Sequence, residues 1–282
     1  MPNLMLVLEY DGAGYHGFQK QIGASSIQGE LEKALKKLTG VALRTSGASR
    51  TDAGAHALGQ VVSFHTEASF PPRTWVRALA FYLPQDIAVI EARVMDDTFH
   101  ARRSAKTREY RYSVWNRPVP SPFWRRYSHH VPYSVSVDVM KEAASAFVGI
   151  HDFAAFASVK GTKGKSSVRM IKEASVSRDG DMISFRFVGN AFLPQQVRTM
   201  VGTLLEVGSG KMAPGVIGKL LESGERSQAG PTAPACGLCL VKVNYAIEPD
   251  SWPFPGPVCQ ATSGRPAAGL ESSAYPVEQE EL

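Results

Sequence analysis

The order in which apolar runs and amphipathic stretches alternate occurs twice along the chain, and few architectures accommodate that order. Leu4-Met5-Leu6-Val7-Leu8 is a continuous apolar run of strand length. From Ser25 to Leu38, the residues Ile27, Leu31, Leu35 and Leu38 return along one helical face. Ser25 and Gln28 have capping-box spacing and Gly40 marks a stop. Gln60 to Phe64 reads as a strand, Pro72 to Tyr82 as a helix and Ile87 to Val94 as a strand. The second half begins again with a strand, Arg108 to Trp115, and a helix, Asp138 to Val148. Val168 to Arg178 and Met182 to Val188 straddle Asp179-Gly180, the strongest hairpin signal in the chain. A helix with Pro194 near its first turn carries Val197, Met200, Val201, Leu204 and Leu205 and ends at Gly208. Cys239 to Tyr245 closes as a strand.

The expected fold class is therefore α+β, with two similar subdomains, each an antiparallel sheet with helices on one face, and a cleft between them. Residues 1–104 form the first, residues 105–248 the second, and the joint falls within 97–107. No residue-level repeat accompanies the duplicated pattern. From Pro249 the composition shifts to Pro, Gly, Ser, Ala and Glu, so 249–282 reads as a disordered tail. The N-terminus has no basic n-region and meets Glu9 and Asp11 at once, which reads as a first strand and not as a signal peptide. No apolar run reaches the roughly 18 residues of a membrane span. Three cysteines cannot build a disulfide framework, so a cytoplasmic location is expected.

Charge gives a direction. The formal net charge is +5, but six of the 26 acids and only one of the 31 bases lie beyond residue 245, leaving +10 on residues 1–245. A body that basic suits a polyanionic partner. Several cofactor patterns fail. Gly164-Lys165-Ser166 resembles the end of a phosphate loop, yet the required earlier glycine is Val159. The same stretch is better read as a solvated basic loop, with Lys160, Lys163, Lys165 and Arg169 able to touch phosphates. Cys236 and Cys239 have metal-like spacing but no second pair, and Gly47 to Thr51 lacks the second glycine of a nucleophile elbow. The chemistry is expected to need no cofactor and no metal.

The most unusual stretch runs from Gly47 to Ala57, where small residues surround Arg50, Asp52 and His56 just before a strand. Small neighbours allow close approach of a ligand, and in an extended loop Arg50 and Asp52 point the same way. Read alone, the stretch better fits a turn in which Asp52 caps a helix or bonds its own backbone. The segment from Arg93 to Arg126 changes the balance: nine bases and three acids are interleaved with Phe99, Tyr110, Tyr112, Trp115, Phe123 and Trp124. Bases contact phosphates and aromatic faces receive unstacked nucleobases, although alternate strand residues must face a core.

On these residues the sequence resembles the tRNA pseudouridine synthase A family, which modifies uridines of the anticodon stem-loop. The resemblance runs from Leu4 to Tyr245. It is carried by Tyr10-Asp11-Gly12 with Tyr15, Gly17 and Gln19, by Arg50-Thr51-Asp52-Ala53-Gly54 with His56 and Gly59-Gln60-Val61, and by Phe99-His100-Ala101-Arg102, Lys106 and Tyr110-Arg111-Tyr112. Gly189 to Leu193, Val197-Arg198, Val201-Gly202, Gly230 to Pro234 and Gly237-Leu238 complete it. The resemblance implies that Asp52 is the catalytic aspartate, that Arg50 helps displace the target base, that Tyr110 stacks on it, and that Arg198 pairs with Asp52. Arg102, Lys106, Lys163 and Lys165 are expected to contact substrate. A homodimer with tRNA across both subunits is also implied. Phe18 stands where the family usually has Trp, and Pro194-Gln195-Gln196 replaces a stretch that commonly carries basic or His residues.

The implied reaction breaks the N1–C1′ bond of uridine and rejoins the base through C5, an isomerisation that consumes neither reductant nor nucleotide. Two other readings compete. A non-catalytic tandem RNA-binding module explains charge and aromatics but gives no role to Asp52 beside Arg50. A glycosidase needs a second carboxylate, Glu9 or Asp11, as partner to Asp52.

Overall fold

The computed structural model describes residues 1–158, 164 and 166–246. The expected tail, 249–282, and Lys160, Lys163 and Lys165 lie outside those residues. Ten strands join in one sheet: β1 (Asn3–Tyr10), β2 (Ser46–Gly47), β3 (His56–His65), β4 (Ile87–Met95), β5 (Ala105–Trp115), β6 (His129–His130), β7 (Gly149–Asp152), β8 (Val168–Asp179), β9 (Met182–Gly189) and β10 (Leu238–Tyr245). The main path is β4-β1-β3-β10-β5-β9-β8-β7, with β2 on β3 and β6 on β5. The α-helices are α1 (Ile27–Thr39), α2 (Pro72–Tyr82), α3 (Val137–Ala144), α4 (Gln196–Gly208) and α5 (Val216–Ser223).

The chain is α+β, as the alternation of periods implies. The two halves are fused through their sheets. β4, β1 and β3 come from the first half, and β10, β5, β9, β8 and β7 from the second. At the seam the chain's last described strand, β10, lies parallel to β3, pairing Cys239 with His56 and Leu240 with Ala57. Every other neighbouring pair on the main path is antiparallel. β1 is buried on both faces, Leu4, Leu6 and Leu8 on one and Met5 and Val7 on the other, as an unbroken apolar run requires. α2 packs on β4 and α1; α3 and α4 pack on each other, with α3 against β8 and α4 against β5.

Local departures from the expected elements have local causes. Ser26, not Ser25, caps α1: its Oγ accepts from Gly29 N–H at 3.3 Å. Gln28 instead accepts from Lys20 N–H at 3.0 Å and donates to Thr45 O at 2.8 Å. The β8–β9 hairpin pairs Asp179 with Met182, so its two turn residues are Gly180 and Asp181, with φ +56° at Gly180. α4 starts at Gln196, beyond Pro194, because Gln195 adopts φ 64°. That left-handed backbone is unusual for a residue with a side chain. Gln196 is fully buried and closes the turn, accepting from Leu193 N–H at 2.8 Å. α5 has no counterpart in the sequence reading. It is eight residues long with a glycine inside, too short for its period to stand out, yet Ile217, Leu220 and Leu221 are buried.

Candidate active site

Over the seam opens a cavity of about 660 Å³, lined by the β2–β3 loop, the start of β5 and the turn into α4. The loop comes from the first half, and the other two elements from the second. Its backbone is gripped residue by residue. Ala48 N–H donates to Val61 O at 2.8 Å. Fully buried Gln60 holds both sides of Ser49, accepting from its N–H at 3.2 Å and donating to its carbonyl at 2.8 Å. Tyr10 Oη and Thr51 Oγ1 share a hydrogen bond of 2.8 Å. Phe18 N–H donates to Thr51 O at 3.1 Å. Gly12 lies so close behind the loop that a Cβ would stand 1.9 Å from Ala55 O, which explains a glycine there. Phe18, the departure from the family's Trp, is buried, its ring filling the space where a Gly47 Cβ would be.

Exposed Arg50 and half-buried Asp52 both line the cavity. Asp52 Oδ2 accepts from Arg198 Nη1–H at 2.8 Å across 146 positions of sequence. Arg198 Nε–H donates to Ala233 O at 2.7 Å, and Ala233 N–H returns a bond to Arg198 O at 3.1 Å. The arginine is thus held at both ends and presents one edge to the carboxylate. Close approach of the 231–233 segment requires Gly202 on α4, where a Cβ would lie 1.7 Å from Pro231 O.

Tyr110, on β5, also lines the cavity. Its hydroxyl shares a 2.7 Å hydrogen bond with Ser49 Oγ, and its ring meets Phe192 edge-on at 5.1 Å. Only 4% of it is exposed, and burial pushes its phenol up to about 12. Tyr112, two residues on, faces the same side but is fully buried, its hydroxyl donating to Pro234 O at 2.7 Å. Arg102 is exposed at the cavity wall. Lys106 is exposed on β5 and does not line the cavity. Lys163 and Lys165 lie outside the described residues.

Arg50, Arg102, Arg108, Arg169 and Arg198 line the cavity, and Asp52 is the one carboxylate among its described lining residues. Glu9 and Asp11, the partners a glycosidase would need, are not there. Asp11 is engaged elsewhere, accepting from Tyr127 Oη–H at 3.1 Å and from Ala13 N–H at 2.9 Å. Among the described residues no group of three or more His, Cys, Asp or Glu side chains could hold a metal ion. Gln60 and Arg108 escaped the sequence reading as site residues. Gln60 carried the signal of a polar side chain inside an apolar strand; Arg108 was read as one of nine phosphate-contacting bases.

His56, which ends the loop, is buried beneath it. Its Nδ1 accepts from Gly12 N–H at 3.2 Å, and Nε2 lies 2.9 Å from Arg126 O. Burial lowers its pKa, outweighing the opposing pull of Asp11; burial also lowers that of His129. As pH falls through about 6.5 these two histidines therefore bind more protons in the unfolded chain than in the folded one, and the stability they contribute falls. The urea midpoint is expected to drop between pH 7.5 and 5.5, and to drop less in His56→Gln. An unchanged midpoint in the wild type would contradict the neutral, buried ring.

The comparisons with known proteins agree with one another. A family model described as tRNA pseudouridine synthase matches residues 6–102 and 143–246. The tRNA pseudouridine synthase A of Acetivibrio thermocellus is 45% identical over 245 residues, covering 87% of this chain and 100% of that protein. Those of Moorella thermoacetica and Thermoanaerobacter sp. are 45% and 42% identical over 247 and 245 residues, with the same coverage.

Proposed function

The chain belongs to the tRNA pseudouridine synthase family, and from that membership we propose that it isomerises uridine to pseudouridine in the anticodon stem-loop of tRNA, with Asp52 as the reacting carboxylate. The observation that carries this is the Asp52–Arg198 pair, which sets one oriented carboxylate against a wall of cations. The cations suit a phosphodiester backbone, and the small loop residues leave space for a nucleotide beside the carboxylate. A binding module has no use for a carboxylate inside its anion-binding surface.

In this reading the target uridine leaves its stack, at a cost of a few kcal/mol. Arg50, exposed at the mouth, occupies the vacated space, and the Tyr110 ring supports the extruded base. Asp52, held by Arg198, acts at the sugar or the base as nucleophile or as stabiliser of the charge that develops when N1–C1′ breaks. The uracil turns, C5 bonds to C1′, the C5 proton leaves and N1 gains one, so the reaction balances without a co-reactant. Burial pushes the Tyr110 phenol up to about 12, so of the Tyr110 hydroxyl and a water, the water is the better-suited acceptor of the C5 proton. The proposal includes halves 1–104 and 105–248 on either side of the cleft, Arg102, Lys106, Lys163 and Lys165 as tRNA contacts, and a cytoplasmic homodimer. Among the described residues no helix is long and apolar enough to cross a membrane.

The test is a tRNA transcript tritiated at uridine C5, incubated with the protein and no added cofactor. Tritium release with an intact RNA chain is the expected result. Tight binding without release would favour a binding module, and free uracil a glycosidase.

A further inference from the structure

Arg108 sits two residues before Tyr110 on the same face of β5 and is 7% exposed. Among the described residues no carboxylate lies within ion-pair distance of it. Its guanidinium is instead surrounded by main-chain oxygens. Nη1–H groups donate to Asn190 O at 2.7 Å and Ala105 O at 3.3 Å. Nη2–H groups donate to Arg102 O at 2.8 Å and Ala48 O at 3.1 Å. A buried cation without a counter-ion is expensive, and burial accordingly lowers the Arg108 pKa. An apolar side chain would fill a strand position at less cost, so the position of the four carbonyls explains the arginine better than packing does.

Two of those carbonyls belong to the two sides of the site. Ala48 lies four residues before Asp52 in the first-half loop. Asn190 opens the turn that runs through Gln195 into α4, which carries Arg198. The other two, Arg102 and Ala105, belong to the segment that joins the halves. A planar fork with fixed donor directions can tie all of these at once, whereas a lysine ammonium has one nitrogen and three donors.

We propose that Arg108 is a positioning residue that fastens the Asp52 loop of the first half to the Asn190 turn of the second, and so sets the separation at which Asp52 meets Arg198 and the nucleotide. The inference rests on the synthase reading of the site. Arg108 also lines the cavity, but four of its five N–H groups are directed at these carbonyls, so it acts through the backbone segments, unlike exposed Arg50 and Arg102.

Four proteins decide it: wild type, Arg108→Gln, Arg108→Lys and Asn3→Ala. Asn3 is a comparator that is equally buried and ties the same joining segment, Nδ2–H donating to Asp96 O at 2.9 Å and Phe99 O at 2.8 Å, but touches neither side of the site. Single-turnover tritium release and tRNA affinity are measured separately, with thermal unfolding of each protein. Misplacement of a reacting group by about 1 Å costs on the order of 100-fold; Arg108→Gln is expected to lose about that much in rate, with affinity within about threefold. Arg108→Lys should retain more, losing about tenfold, and Asn3→Ala should keep the wild-type rate despite a lower unfolding temperature. The inference is overturned if Arg108→Gln matches Asn3→Ala in rate, or if its loss lies in affinity alone. Should Arg108→Gln fail to fold, Arg108→Lys is judged against Asn3→Ala by the same criterion. An inactive wild type would instead remove the synthase reading, so the two failures are distinguishable.

Discussion

Asp52→Asn is expected to lower the single-turnover rate of tritium release by at least about 10³-fold, the scale of removing a group on which bond making depends. The carboxamide has nearly the shape of the carboxylate, so the loop should keep its backbone bonds to Gln60, Phe18 and Val61. What it lacks is the negative charge that can attack carbon or stabilise a cationic sugar. The same substitution removes the one carboxylate from a described lining of five arginines. Affinity for tRNA is therefore expected to stay equal or rise slightly, with a steeper salt dependence. Loss of rate with retained or tighter binding separates chemistry from recognition. A variant within about tenfold of wild type would take Asp52 out of the chemistry, and a loss in affinity matching the loss in rate would make it a recognition residue.

Arg198→Met is expected to cost about 10²- to 10³-fold in rate, comparable with removing one donor from a preorganised charge-stabilising site. Methionine keeps much of the aliphatic volume on α4 but abolishes both bonds, to Asp52 Oδ2 and to Ala233 O. The carboxylate then keeps its charge but loses its fixed direction. Arg198→Lys should recover little, since one nitrogen cannot span the carboxylate and the carbonyl in the geometry of the fork. Combining Asp52→Asn with Arg198→Met should add almost nothing to the first change, because groups that act as a unit are not additive. Additive losses would show that Arg198 serves the reaction by a route that does not pass through Asp52.

Much of the fold was legible because burial leaves a periodic trace. α2 was readable to its bounds, Pro72–Tyr82, since a proline opens it and its apolar residues keep a helical period. β1 was readable as an unbroken apolar run because both its faces are covered. α5 was not, its eight residues containing too few turns to display a period. The helix cap moved from Ser25 to Ser26 because adjacent serines offer the same chemistry, and the backbone path from Lys20 to Thr45 chose between them. In the site, Asp52 and Arg50 stood out through their small neighbours, and family likeness supplied Tyr110 and Arg198. Arg108 is one of the nine bases of the 93–126 segment, yet its guanidinium is directed at four carbonyls. The residue type tells that a charge is present, not where its partners are.

By itself the sequence determined most of the longer strands and helices, the apolar face of those helices, that the body is strongly basic, and that one acidic residue sits in an unusually small-residue loop. Those properties are local sums over neighbouring residues, and each is written in composition or in a period of two or 3.6. The tertiary structure alone decided that β10 returns to lie parallel to β3 and makes two sheets one, and that a carboxylate and a guanidinium 146 positions apart meet at 2.8 Å. It also decided that one buried arginine holds both sides of that meeting. Pairing of strands distant in sequence depends on which buried faces find each other once the chain has closed long loops, and no local period records that choice.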